Sequence, residues 1–113
     1  VSYGGKDSLF LNEKAIVEGL FSSFVKNGKE VFKLSGVEIF KMSVKTELTD
    51  SYGETSVEEV ARLSMAKEEF QKYDWNSLRF QPIYYQMKRS ALDLYVHPAL
   101  AKKINLDEVK LRY

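Results

Sequence analysis

From about Asn12 to Asn27, apolar residues fall on one helical stripe. Ile16, Leu20 and Phe24 recur every four residues, and so do Val17, Phe21 and Val25. This spacing predicts an amphipathic helix over 12–27, with Asn12 capping its start and Asn27-Gly28 ending it. Gly19 borders the stripe, where a missing side chain would admit a neighbouring backbone. The pattern then changes. Glu30–Leu34 and Val37–Leu48 are rich in β-branched and aromatic residues and flank Ser35-Gly36, which predicts a β-hairpin over 30–48. Its two-residue turn would set Lys33 opposite Glu38 and Glu30 opposite Lys41. The apolar pairs Leu34–Val37, Phe32–Ile39 and Val31–Phe40 would complete the register.

A second helix is predicted over 56–73. Ser56-Val57-Glu58-Glu59 reads as a capping box, and Val60, Leu63, Ala66, Phe70 and Tyr73 mark the buried side. Glu58 with Arg62, and Glu68 with Lys72, stand at i,i+4 in the favourable order. A third helix is predicted over 82–97, where Ile83, Tyr84, Met87, Ala91, Leu94 and Tyr95 share one arc and Gln86, Arg89, Ser90 and Asp93 the other. Pro82 suits its first turn and Pro98 disfavours its continuation. Tyr85, Leu92 and Val96 form a second, smaller apolar strip on that helix. Pro98 to Ile104 reads as a short helix, and Val109, Leu111 and Tyr113 alternate with Lys110 and Arg112 as a strand over 108–113. The expected class is α+β, a single domain over 1–113: a small antiparallel sheet of the hairpin plus the C-terminal strand, packed against two or three helices.

The composition narrows the function classes. A chain of 113 residues, 44% hydrophobic and 29% charged, suits one globular domain. With no Cys it has no disulfide, thiolate metal site or cysteine nucleophile. No stretch approaches the ~20 apolar residues of a membrane span, so a soluble intracellular protein is expected, a mature secreted chain remaining open. The net charge of +1 conceals a gradient: 0 over residues 1–50, −3 over 51–77 and +4 over 78–113. A locally basic surface in the last third is therefore compatible with a neutral whole.

Candidate chemistry is sparse. The lone His97 has no second His or Cys for a metal site, and as a helix-end residue it is expected to bond backbone. Glu58-Glu59, Glu68-Glu69 and Asp107-Glu108 are adjacent carboxylates that diverge by about 100° on a helix, which does not set an acid facing a base across a cleft. Tyr3-Gly4-Gly5-Lys6-Asp7-Ser8 resembles the pyrophosphate loop of the N-type ATP pyrophosphatase family, whose signature reads S-G-G-x-D-S. The resemblance covers about six residues, with Tyr3 in place of the family's first Ser. It implies nucleotide or phosphate binding by the loop backbone at Gly4, Gly5, Lys6, Asp7 and Ser8. Read from the residues alone, the same stretch is a turn-forming N-terminus.

Two surface readings remain. Tyr52 and Trp75 stand in expected loops. With Tyr85, Leu92 and Val96 they make a protein–protein contact or self-association the leading expectation: a non-enzymatic accessory or structural subunit without cofactor or metal. Arg79 to Arg89 interleaves basic and aromatic residues, as single-stranded nucleic-acid binders do. On that alternative Arg79, Lys88, Arg89, Lys102, Lys103, Lys110 and Arg112 would meet phosphates.

Overall fold

The computed structural model describes residues 2–4, 13–49 and 52–111. In chain order these form β1 (Ser2–Gly4), α1 (Glu13–Val31), β2 (Ile39–Thr49), β3 (Thr55–Ala66), α2 (Lys67–Gln71), α3 (Tyr84–Ser90), β4 (Asp93–Val96) and α4 (Pro98–Ala101), with a 3-10 turn at Leu106–Glu108. The strands make one sheet in the order β1-β2-β3-β4, antiparallel except for β1, which runs parallel to β2. The α+β class and the antiparallel sheet expected from the sequence are present. Several elements lie elsewhere.

The stripe of α1 is buried as predicted, through Val17, Leu20, Phe21, Phe24 and Val25. The helix does not end at Asn27-Gly28 but continues to Val31. The Asn27 amide donates to the Ser23 carbonyl at 2.9 Å, within the same helix. Gly28 serves a close approach instead: a Cβ there would stand 2.6 Å from the Phe70 ring. Gly19 is the opposite case. It is exposed, with nothing within 4 Å of a Cβ at that position, so the expected backbone approach does not occur.

Because residues 30 and 31 belong to α1, the hairpin predicted over 30–48 loses its first strand. Ser35-Gly36 becomes part of the turn that leaves the helix, with Gly36 at φ 84°. The second strand survives as β2, and its partner is the segment predicted as helix 56–73. That stretch fits both periods, since Val60, Leu63 and Ala66 have helical spacing while Ala61, Leu63 and Met65 alternate. Pairing decides for β3: the register from Ile39↔Ala66 to Thr49↔Thr55 satisfies the backbone groups on that side of β2 along its whole length. Ser56 accordingly caps nothing; its hydroxyl donates to Glu58 at 3.2 Å. Arg62 reaches Glu59 and Asp93 rather than Glu58, and Lys72 meets Glu69 at 2.7 Å rather than Glu68. Helix survives only in α2.

Val60 is left out of the register, which passes from Val44↔Ala61 to Lys45↔Glu59, and so forms a β-bulge. On the body side of this bulge, Phe40, Met42, Val44, Ala61, Leu63 and Met65 share the face turned to α1, while Lys41, Ser43, Arg62 and Ser64 share the other. One end of the core is closed by rings. Phe24 stacks on Phe40 at 4.9 Å, Phe32 lies 5.0 Å from Phe70, and Phe70 lies 5.2 Å from Trp75.

The helix predicted over 82–97 divides. Helix α3 stops at Ser90, Ala91 is extended, and β4 pairs with β3 through Leu63↔Leu94 and Ala61↔Val96. This sets Leu94 and Val96 beside the buried face of the sheet, a contact that a continuing helix would forfeit. The short helix after Pro98 is present as α4, which ends at Ala101. Of the C-terminal strand expected over 108–113, the described part, up to Leu111, does not join the sheet. It makes isolated bridges, Leu111 with Arg79 and Lys110 with Pro82. Its position is fixed by the buried Glu18 carboxylate, which accepts from the Lys110 backbone N–H at 2.9 Å, while Val109 and Leu111 fill the core. Among the described residues, no helix is long and apolar enough to cross a membrane.

Candidate interaction surface

The C-terminal segment shapes the stretch from Arg79 to Leu92. The Phe80 N–H donates to the Leu111 carbonyl at 3.2 Å, and the Ile83 N–H donates to Val109 at 2.9 Å. Between these two anchors Phe80 is held at φ 63°, the left-handed region that a bulky residue rarely enters. Its ring is not packed away in return: Phe80 is 58% exposed, and the Arg79 guanidinium lies 5.2 Å from the ring centroid. Backbone strain here accompanies the display of an aromatic ring.

Helix α3 then sorts its residues by face. Ile83 before it and Met87 within it are fully buried, and Ser90 is buried with its hydroxyl bonded to that of Tyr73. Tyr85, Lys88 and Arg89, spaced i, i+3 and i+4, occupy the exposed face. Tyr85 is 54% exposed and meets Tyr84 edge-on at 5.3 Å. Tyr84 turns inward toward Phe21 at 6.2 Å, and burial, with a smaller contribution from Tyr85, holds its hydroxyl above the usual tyrosine range. Beyond the helix the Leu92 N–H donates to Ser64 at 2.9 Å, yet its side chain is 59% exposed. Phe80, Tyr85 and Leu92 are thus three large apolar side chains left in water within one short stretch, interspersed with Arg79, Lys88 and Arg89.

The remaining sequence candidates fall in different places. The strip Tyr85, Leu92, Val96 does not exist on one helix: Tyr85 is on α3, Leu92 in the link, and Val96 is half-buried on β4 against the core. Trp75 is no exposed loop anchor. It is 4% exposed, and its indole N–H donates to the Phe70 carbonyl at 2.9 Å. Tyr52 is almost fully exposed, in the turn between β2 and β3. Of the basic residues, Lys102 and Lys103 follow α4, with Lys103 3.6 Å from Glu13, and Lys110 is half-buried beside Pro82. Arg112 lies outside the described residues. So do Gly5 to Ser8 of the phosphate-loop resemblance, of which Gly4 ends β1 beside Lys45.

Two other features carry less. A pocket of about 490 Å³ opens at the C-terminal end of α1, walled by Phe32, Phe70, Tyr73 and Trp75 and rimmed by Lys29, Asp74 and Asn76. Phe32, Phe70 and Trp75 are buried, with the Phe70 ring tilted against each of the other two, so these rings are engaged with the core more than with the opening. His97 caps α4, its Nδ1 accepting from the Ala99 N–H at 3.0 Å, the backbone bond expected of it, at a helix start rather than an end. Among the described residues no three His, Cys, Asp or Glu side chains gather where they could hold a metal ion. The sequence places Tyr84 on the core arc and Tyr85 on the contact strip, while Phe80 enters only as one ring of the basic and aromatic stretch Arg79 to Arg89. No local motif announces the left-handed backbone that displays the Phe80 ring. Compared with known proteins, the chain matches no family model, no curated protein and no solved structure, so its own geometry carries the functional argument.

Proposed function

We propose that the protein is a non-enzymatic interaction module that binds an acidic, apolar protein segment through the surface of Phe80, Tyr85 and Leu92. The observation that carries this reading is Phe80, strained at φ 63° and 58% exposed. Backbone strain of about 1–2 kcal/mol, offset by the hydrogen bonds to Leu111 and Val109, holds this ring in water, where an apolar partner would bury it. Lys88 and Arg89 on the exposed face of α3 favour carboxylates around that apolar centre.

The test is a selection of random peptides against the whole chain, followed by affinity measurements on the enriched sequences. Enriched peptides should combine Leu or Phe with Asp or Glu, and Leu92→Glu or Arg89→Glu should weaken them by about ten-fold or more. A selection without binders, or binders indifferent to both variants, sinks the reading. A single strand of nucleic acid is the competing occupant, since exposed rings beside cations also suit bases and phosphates. If an oligothymidylate binds this surface with steep salt dependence while peptides do not, the partner is nucleic acid and the peptide proposal fails.

A further inference from the structure

A second surface lies on β3, away from α3. Strand β4 covers β3 only from Ala61 to Ser64, and the slot at Val60 is taken by the His97 N–H, which donates to its carbonyl at 2.7 Å. Among the described residues, Thr55 to Glu59 have a strand on the β2 side alone. The direction of their backbone groups follows from the ladder. Val60 and Ser64 carbonyls accept from His97 and Leu92 on the β4 side, so on the body side of the bulge even-numbered residues point to β4 and odd-numbered ones to β2. The bulge at Val60 reverses this alternation. Thr55, Val57 and Glu59 therefore direct their N–H and C=O groups outward, while Ser56 and Glu58 bond to β2.

We propose that two copies of the chain pair antiparallel through these edges, on a two-fold axis at Val57. The register is self-complementary. It places Val57 opposite Val57, Ser56 opposite Glu58 and Thr55 opposite Glu59, so no carboxylate faces another and each meets a hydroxyl. All three outward residues find hydrogen-bond partners. The apolar residue at the centre, Val57, is 68% exposed in the single chain and would be covered by its own copy. The pairing is bounded as well: the next rung would set Glu54 of one copy at Val60, where His97 already stands. Five residues per strand make a small contact, so the dimer is weak and concentration-dependent.

The chain has no cysteine, which makes the register directly readable. In a hydrogen-bonded antiparallel pair the two Cα atoms at the axis stand about 5.5 Å apart, within disulfide range. Val57→Cys should therefore form disulfide-linked dimers at least about ten-fold faster than Tyr52→Cys or Thr55→Cys, whose own copies lie several rungs away. Sedimentation of the unmodified protein should show dimer appearing at about millimolar concentration, and Val57→Lys should abolish it by opposing two cations. Equal crosslinking rates, or a dimer that survives Val57→Lys, would overturn the proposal. So would a protein that stays monomeric at that concentration. A dimer lost in Leu92→Glu but kept in Val57→Lys would place self-association on the α3 surface and reject the β3 edge. The peptide selection reads a separate surface, so either proposal can fail alone.

Discussion

Phe80 shows how one residue can carry information that its neighbours do not. Nothing in Leu78-Arg79-Phe80-Gln81 marks a left-handed position; Gly or Asn would be the ordinary signal. The conformation is imposed from outside, by Leu111 and Val109 accepting from the N–H groups of residues 80 and 83. If the ring is kept for display, its removal should leave the fold nearly intact. Phe80→Gly relieves the strain while losing partial packing, so unfolding free energy should change by less than about 1 kcal/mol, against about 3–5 for a buried Phe. Peptide binding should fall by about ten-fold in the same variant. A large loss of stability in chemical denaturation would mean that the ring belongs to the core.

At the scale of elements, the two glycines of α1 make a matched pair. The sequence pattern assigns close packing to Gly19 and a helix end to Gly28, whereas Gly19 lies in open space and Gly28 makes the close approach. Only contact with Phe70 distinguishes them, and Phe70 comes from a segment about forty residues away in sequence. Gly19→Ala adds helix propensity in open space and should stabilise by about 0.5–1 kcal/mol. Gly28→Ala gains the same propensity but pushes a methyl into a ring wedged among Phe24, Phe32 and Trp75, and should destabilise by about 1–3 kcal/mol. Thermal midpoints moving in opposite directions would confirm the packing; a stabilising Gly28→Ala would contradict it. The exchange of partners by β2 has the same origin. Its strand pattern was readable, whereas the choice between 30–34 and 55–66 as partner depended on which of them α1 had already claimed.

For the molecule as a whole, the extents of 46 × 29 × 21 Å describe an elongated body, with β2 alone spanning roughly 37 Å. Global stability should carry an alkaline signature through Tyr84, which ties α3 to α1. Its folded-state pKa is raised by burial, so the unfolded chain loses this proton first. The contribution is complete below about pH 10 and is lost as pH rises through the folded value. Denaturant midpoints should therefore fall as pH rises above about 10, and Tyr84→Phe should flatten that fall. An unchanged slope in Tyr84→Phe would assign the alkaline loss to other groups.

The sequence by itself determined the class of the protein, the buried stripe of α1, the strand character of β2, the short helix after Pro98 and the segment Arg79 to Arg89 as a place to look. These rest on local periodicity and turn chemistry, which neighbouring residues set among themselves. Only the tertiary structure decided that 55–66 is a strand, that the helix over 82–97 breaks at Ala91, and that Trp75 and Val96 turn inward while Phe80 turns out. Each of those choices was locally near-balanced, and hydrogen bonds or burial supplied by residues distant in sequence tipped it: β2 for β3, β3 for β4, Phe70 for Trp75 and the C-terminal segment for Phe80.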